Sequence, residues 1–170
     1  MHSTDLAGIL APWLTATAGI PAPDAPVTLV TNDSRRAAAG TVFCAIRGAT
    51  RDGHDYIPQA LAQGARIIVQ SLPLPEPASR RPDVTYYRVS DAYHAYATLM
   101  QAYYGFPDRD LELTAVTGTN GKTTTVLALY QLAAVKSGVL STVATGFGQE
   151  VWLPAEHTTP EAGEIGRPHV

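Results

Sequence analysis

Apolar residues recur at helical spacing in three segments: 5–14, 55–64 and 91–104. The first segment predicts a short amphipathic helix with Thr4 or Asp5 as its N-cap. The second segment ends at Gly64, a residue that commonly stops a helix, and the third begins at Asp91, which can accept hydrogen bonds from the first helical N–H groups. The pattern therefore predicts three helices in the first hundred residues.

Between these helices lie four runs of strand length that are rich in β-branched and aromatic residues: 27–30, 41–46, 65–70 and 85–89. Their order relative to the helices is strand, loop, strand, helix, strand. This order is typical of an α/β layer rather than of an all-helical or all-β domain. Cys44, within the second run, is expected to be a small buried hydrophobic residue.

A short polar segment, residues 105–110, contains a glycine and a proline and is the predicted domain boundary. We expect one domain over residues 1–107 and part of another over residues 108–170. After the boundary, residues 111–116 have the pattern of a buried strand, and an apolar-periodic helix is predicted from residue 122 to about residue 135.

The composition narrows the classes of function. Of the 170 residues, 45% are hydrophobic and 16% are charged, and the formal net charge is -3. This charge gives no electrostatic reason to expect nucleic acid or an anionic membrane surface as a partner. A single cysteine cannot form an internal disulfide, and no apolar run approaches the roughly 20 residues of a membrane span. The amino terminus does not resemble a signal peptide, so we expect a cytoplasmic protein.

The junction between the predicted strand and helix of the second domain has the features of a phosphate-binding loop. Glycines reduce crowding against the backbone, a lysine supplies a mobile positive charge, and a threonine hydroxyl can ligate magnesium. Val116 stands where the general motif has its first glycine. The alternative is an ordinary glycine turn before a helix, with Lys122 solvated. The predicted nucleotide-binding residues are Thr117, Gly118, Thr119, Asn120, Gly121, Lys122, Thr123 and Thr124.

This loop, Thr-Gly-Thr-Asn-Gly-Lys-Thr-Thr-Thr, resembles the ATP-binding loop of the Mur ligase family, which also includes folylpolyglutamate synthases. The amino-terminal half is similar to the UDP-binding domain of that family. The motifs that carry this second similarity lie, in order, at residues 33–35, 39–40, 42–48, 52–53, 56–60 and 64–65. The resemblance implies a small amino-terminal UDP-binding α/β domain, followed by the beginning of a P-loop-type, parallel-sheet ATPase domain that is truncated here.

A UDP group needs hydrogen-bond donors for its diphosphate and its uracil edge, and Asn32, Ser34 and Arg35 can supply them. Asp33 is expected to order this loop, because a carboxylate beside a diphosphate would repel it. The alternative for the segment is a solvated Asx turn.

The resemblance also implies that Thr50 and Arg51 line the uridine, although Arg51 can equally be a surface charge. It further implies that Thr158 and Thr159 hydrogen-bond the muramoyl part of the substrate. His157 stands where relatives carry asparagine. These three residues complete the predicted substrate site.

The activity implied by the resemblance is ATP-dependent amide-bond formation in peptidoglycan precursor synthesis. The carboxylate of UDP-N-acetylmuramoyl-L-alanyl-D-glutamate is phosphorylated, and the amine of meso-diaminopimelate or L-lysine displaces the phosphate. Lys122 would be the catalytic residue that neutralises phosphate charge, and Thr123 would ligate Mg²⁺. The implied cofactors are ATP and Mg²⁺, and the implied partners are the UDP-muramoyl dipeptide and an amino acid.

Two other functions stay open at this point. One is a non-catalytic module that binds a nucleotide or a UDP-sugar, as a remnant or a regulator. The other is a ligase of a different peptidoglycan step or of polyglutamylation.

About 60 residues follow the boundary, whereas a phosphate-loop domain needs a covered parallel sheet and further acidic residues for magnesium. The final run, residues 163–170, also does not have the pattern of the apolar helix that the family leads us to expect there. We therefore expect the chain to be a fragment, a truncated product or a frame-shifted end, with no ligase turnover of its own.

Overall fold

The structure is a computed structural model that describes residues 1–21, 23–76, 81–133, 137–148 and 151–154. It divides into two compact units, Met1–Pro107 and Asp108–Val170. Within the described ranges, every helix is too short or too polar to cross a lipid bilayer.

The first unit is built on a five-stranded sheet with the order β1-β5-β4-β3-β2. Neighbouring strands from β2 to β5 pair in parallel, whereas β1 pairs antiparallel with β5 at the sheet edge. The strands are β1 (Leu14–Ala18), β2 (Leu29–Thr31), β3 (Thr41–Ala45), β4 (Ile67–Gln70) and β5 (Thr85–Val89). The predicted α/β class is confirmed in this unit.

Every residue of the central strands β3 and β4 is buried, so both faces of the sheet are covered. Helix α2 (Ile57–Ala62) packs Ala60 and Leu61 in one cluster with Phe43 and Ile68. Helix α3 (Ala92–Tyr103) contacts β2 and β3, and helix α1 (Leu6–Leu10) contacts α3. Because α2 covers the face that includes Phe43, α3 with α1 beside it is left to cover the opposite face.

Helix α3 shows how the sequence specifies an element. Asp91 is its N-cap, as predicted: one carboxylate oxygen accepts the backbone N–H groups of Tyr93 and His94 at 2.9 and 3.0 Å. The buried residues of the helix are Ala92, Ala95, Tyr96, Leu99 and Met100, one stripe at helical spacing. Tyr93 lies outside this stripe and is 62% exposed.

The predicted helix over residues 5–14 is wrong beyond Leu10. Pro12 has no N–H group to continue the helical hydrogen bonds, so α1 ends early, at Leu10, with Ala11 as its C-cap. Leu14 then begins β1, a strand that the pattern did not predict, whose residues pair with β5 from Leu14 opposite Val89 to Ala18 opposite Tyr86. Pairing with β5 outweighs the helical spacing of Leu14.

Two further predicted elements are shorter than expected. The strand predicted over residues 27–30 is β2, which starts at Leu29. The helix predicted over residues 55–64 is α2, preceded by the 3₁₀ turn Gly53–Tyr56.

In the second unit, helix α4 (Lys122–Leu132) follows the glycine loop. Three short strands, β6 (Gly138–Leu140), β7 (Ala144–Phe147) and β8 (Val151–Pro154), form an antiparallel sheet in that order. The strand predicted over residues 111–116 is not formed, and Leu113 is 80% exposed. A buried-strand pattern gives a strand only beside a pairing partner, and the described strands of this unit pair with one another.

Replacing Asp91 with alanine should lower the free energy of unfolding by about 1 kcal/mol at pH 7, because two helix N–H groups lose their acceptor. The backbone N–H and side chain of His94 hold the pKa of Asp91 below its ordinary value. The folded-state pKa is therefore the lower one. The contribution of the carboxylate is complete above its unfolded pKa of about 3.9 and is lost as the pH falls through the folded pKa.

Chemical denaturation of the wild type and the Asp91→Ala variant at pH 7 and pH 2 checks this prediction. The stability difference should shrink at pH 2. The matched control is Asp55→Ala, which removes an exposed carboxylate from the Gly53–Tyr56 turn and should change stability by less than about 0.5 kcal/mol. A difference of equal size at both pH values contradicts the role assigned to the charged cap.

Candidate functional site

Parallel pairing brings the ends of β2, β3 and β4 to one edge of the first unit's sheet. The loops that follow Thr31, Ala45 and Gln70 therefore share that edge, which we call the carboxyl edge. Ligands of open α/β sheets bind at this edge, because the strand faces are covered by helices. The residues predicted to bind UDP in this unit all lie in the loops after β2 and β3.

The loop after β2 is ordered by Asp33. Its carboxylate accepts the backbone N–H of Arg35 at 3.0 Å and, through both oxygens, the Nε and Nη2 groups of the same arginine at 2.9 and 2.8 Å. These hydrogen bonds from Arg35 hold the pKa of Asp33 below its usual range. The predicted role of Asp33 in ordering the loop agrees with this geometry. The loop is the Asx turn that the sequence offered as an alternative, and it also presents Arg35 to solvent.

The predicted UDP ligands of this loop differ in exposure. The side chain of Arg35 is 81% exposed, and its guanidinium keeps donors beyond the two that contact Asp33. Asn32 is partly exposed. Ser34 is buried, and its hydroxyl donates to Oε1 of Gln59 at 2.8 Å. Its single hydroxyl proton can either contact UDP or make this hydrogen bond, which joins the loop to α2.

The loop after β3 folds into a small hairpin, the 46–53 hairpin. The N–H of Gly53 donates to the carbonyl of Ile46 at 2.9 Å, and the N–H of Gly48 donates to the carbonyl of Arg51 at 2.9 Å. Thr50 and Arg51 lie at its exposed tip. At the base, a Cβ on Gly53 would lie 2.5 Å from the carbonyl oxygen of Ile46, so only glycine fits.

The sequence analysis missed a buried network at the base of this hairpin. Nδ1 of His54 donates to Oδ1 of Asp52 at 2.5 Å, and Nε2 accepts the backbone N–H of Ser71 at 3.3 Å. The hydroxyl of Ser71 lies 3.4 Å from the same Nε2 atom. The His54 side chain is only 7% exposed. The Asp-Gly-His triplet at residues 52–54 was visible in the sequence, but Ser71, which contacts His54, is distant in the chain.

The phosphate loop of the second unit has the backbone that its glycines permit. Gly118 and Gly121 have φ of 144° and 77°, values in the region that favours glycine, and Gly121 occupies the N-cap position of α4. Lys122 and Thr123 begin the helix, where N–H groups of the first turn have no intrahelical acceptor and the helix dipole favours an anion. Residues 117–122 and Thr124 are exposed.

The ammonium group of Lys122 bends back over this loop. Nζ donates to the carbonyl of Gly118 at 2.5 Å and lies 3.3 Å from the carbonyl of Thr119. An ammonium group carries three N–H donors, so it can exchange a carbonyl contact for a phosphate oxygen without leaving the loop.

The hydroxyl of Thr123, the predicted magnesium ligand, lies 3.5 Å from the hydroxyl of Thr142 in the turn between β6 and β7. Neutral oxygen ligands suit Mg²⁺, which usually takes its remaining ligands from phosphate and water. In the described parts of the chain, His, Cys, Asp and Glu form no cluster of three or more that could hold a metal ion. The hydroxyl oxygen of Thr123 therefore fits as one ligand of a magnesium ion whose other ligands come from phosphate and water.

Cys44 is fully buried, and burial raises the pKa of its thiol, which agrees with its predicted role as a core residue rather than a nucleophile. The remaining predicted substrate residues, His157, Thr158 and Thr159, lie outside the described residues. So does the run 163–170.

Comparison with known proteins gives the class of this chain. The model of the Mur ligase family, catalytic domain, matches residues 26–104, and that of the Mur ligase middle domain matches residues 116–167. The chain therefore belongs to the Mur ligase family, as its motifs predicted.

Among its relatives is the UDP-N-acetylmuramoyl-L-alanyl-D-glutamate--2,6-diaminopimelate ligase of Geobacillus kaustophilus, which is 44% identical over 133 residues. That alignment covers 76% of this chain and 26% of the relative. The ligase of the same name from Bacteroides fragilis is 40% identical over 148 residues, which are 85% of this chain and 30% of the relative. This chain thus spans less than a third of the length of these relatives.

Solved structures confirm the fold. The UDP-N-acetylmuramoylalanyl-D-glutamyl-2,6-diaminopimelate--D-alanyl-D-alanyl ligase from Acinetobacter baumannii matches with a TM-score of 0.53 at 26% identity, over 82% of this chain and 30% of that one. A UDP-N-acetylmuramoyl-L-alanyl-D-glutamate--2,6-diaminopimelate ligase matches with a TM-score of 0.59 at 19% identity, over 95% of this chain and 31% of that one.

Replacing Gly53 with alanine should destabilise the protein by about 1 to 3 kcal/mol, because the new Cβ would meet backbone atoms of Ile46 that cannot move independently. Gly8→Ala is the matched control: Gly8 lies in α1 with open space around its Cβ position, so alanine should stabilise the helix by about 0.5 to 1 kcal/mol. Urea denaturation of both variants measures the two effects. Equal stability changes would contradict the close approach at the hairpin base.

Proposed function

We propose that this chain is the part of an ATP-dependent ligase that binds UDP-N-acetylmuramoyl-L-alanyl-D-glutamate and the phosphates of ATP. The complete reaction would join that substrate to an amino acid in peptidoglycan precursor synthesis, in the cytoplasm. The names of the relatives favour 2,6-diaminopimelate over L-lysine as the amino acid. In this proposal, residues 1–107 are the UDP-substrate domain and residues 108–170 are part of the ATP-binding domain.

The observation that carries the proposal is the geometry of the phosphate loop. Two glycines with positive φ, exposed N–H groups at the start of α4 and the ammonium of Lys122 surround one short loop. Each of these features favours a polyphosphate over a neutral ligand. Lys122 is exposed, as in the alternative of a solvated lysine, and its ammonium also donates to the carbonyl of Gly118 within the loop.

Lys122 would hold the terminal phosphates of ATP and reduce the negative charge on the phosphoryl group during its transfer. Thr123 would ligate the magnesium ion, which would supply further positive charge to the phosphate oxygens. The backbone N–H groups from Gly118 to Thr124 would fix the direction of the phosphate chain. These roles require no proton transfer by the loop itself.

Asn32 and Arg35 would hold the diphosphate of the UDP-sugar at the carboxyl edge, with Ser34 beside them. Arg35 is well suited to this role because Asp33 fixes one edge of its guanidinium, through Nε and Nη2, and the side chain is otherwise 81% exposed. Thr50 and Arg51 would contact the uridine from the tip of the 46–53 hairpin, and Thr158 and Thr159, with His157, would contact the muramoyl group.

Isothermal titration calorimetry tests these assignments by measuring the binding of Mg-ATP and of UDP to one variant in each unit. Lys122→Ala should weaken Mg-ATP binding by about 10- to 100-fold, the range for a lost charge-assisted hydrogen bond, and leave UDP binding unchanged. Arg35→Ala should weaken UDP binding by a similar factor and leave Mg-ATP binding unchanged. Arg36→Ala, which removes the neighbouring exposed arginine, is the control for net charge.

Equal losses from Arg35→Ala and Arg36→Ala would show that UDP is attracted only by overall charge. Mg-ATP binding that survives in Lys122→Ala would remove the phosphate loop from the proposal. Either result would contradict the assigned site.

A further inference from the structure

His54 joins two loops that leave different strands of the first unit. Asp52, at the base of the 46–53 hairpin, follows β3, and Ser71 directly follows β4. Asp52 Oδ1 also accepts the backbone N–H of His54 at 3.0 Å, so the carboxylate fixes both the backbone and the ring of His54. The ring then reaches across to Ser71 and closes a continuous chain of contacts at the carboxyl edge.

The neighbours of the ring determine which of its nitrogens donates and which accepts. A carboxylate can only accept, so Nδ1 of His54 carries the proton toward Asp52. The backbone N–H of Ser71 can only donate, so Nε2 is the acceptor. This acceptor atom is buried against Ser71.

The order Asp, His, Ser matches a hydrolase triad, but the geometry does not favour that chemistry. The hydroxyl of Ser71 is 3.4 Å from Nε2, and the backbone N–H of the same residue is also directed at Nε2. In a serine hydrolase the backbone N–H of the nucleophile is directed at the oxyanion. Both polar groups of Ser71 instead use His54 as a common acceptor, which is the geometry of a structural clasp.

We propose that His54 is a positioning residue for the uridine subsite. By accepting from Ser71 and donating to Asp52, it fixes the 46–53 hairpin to the end of β4 and so sets where Thr50 and Arg51 stand. This inference rests on the proposed function, because it assumes that UDP contacts the hairpin tip. No covalent step at Ser71 is involved.

The clasp supplements the contacts that the hairpin makes with itself. Within the hairpin, the Gly53 to Ile46 and Gly48 to Arg51 hydrogen bonds fix its shape, but they do not fix its orientation relative to β4. The described contacts that His54 makes with Ser71 add that second point of attachment. A hairpin held at two strands loses less entropy when a ligand orders its tip, so the clasp raises the affinity for the ligand.

Two substitutions separate the two ends of the ring. His54→Asn keeps a short donor for Asp52 but removes the acceptor for Ser71, whereas His54→Gln offers an amide oxygen near the position of Nε2. UDP affinity is measured by calorimetry at pH 8, and protection of the Ser71 amide is measured by hydrogen exchange.

His54→Asn should bind UDP about tenfold more weakly than the wild type at pH 8 and should lose protection of the Ser71 amide. His54→Gln should retain both at pH 8. Ser71→Ala keeps the backbone N–H and should bind UDP within about twofold of the wild type.

Unchanged UDP affinity in a folded His54→Asn variant, or UDP affinity in His54→Gln as low as in His54→Asn, would overturn the positioning role. If the wild type does not bind UDP, the proposed function fails at this site. Protection of the Ser71 amide would then show a clasp that serves stability alone, and the positioning role would fall with the function.

Discussion

Parallel pairing of β2 through β5 is the constraint on which the rest of the first unit depends. Strands that run in one direction must be joined by crossovers, and the crossover from β3 to β4 places α2 on one face of the sheet. Helix α3, which follows β5, contacts β2 and β3 with α1 beside it and covers the other face. What remains open to a ligand is an edge. The polar loops after Thr31, Ala45 and Gln70 meet at the carboxyl edge because their strands run in the same direction, whatever residues the loops contain.

Aspartates set the local geometry around that edge and at the start of α3. Asp33, Asp52 and Asp91 each accept a backbone N–H two residues further along the chain, and each also contacts the basic side chain that follows. Each carboxylate has a lowered pKa because those neighbours favour its charged form. The same short motif thus orders a loop with Arg35, clasps a hairpin through His54 and caps a helix beside His94.

The sequence predicted the buried elements best. Most buried positions of strands β3 to β5 and of helix α3 hold apolar residues, so the hydrophobic pattern locates these elements within a few residues. β1 was missed because an edge strand is only half buried and its pairing with β5 is invisible in the local pattern. The strand at residues 111–116 was predicted from the same kind of pattern and is absent, since pattern alone does not provide a pairing partner.

In the candidate site, too, the sequence predicted the features that depend on neighbouring residues in the chain and missed those that depend on distant ones. The positive φ angles at Gly118 and Gly121 depend on the loop's own residues, so the phosphate loop was recognisable from its sequence. The contact of His54 with Ser71 was not recognisable, because only the folded chain brings the end of β4 beside the acceptor atom of His54.

The most direct test of the account is hydrogen exchange of the chain with and without saturating UDP. The predicted result is a gain of protection at residues 32–36 and 46–54. No gain is expected at the opposite ends of the strands, near residues 28, 40 and 66. Protection confined to the opposite edge, or none anywhere, would contradict a UDP site at the carboxyl edge.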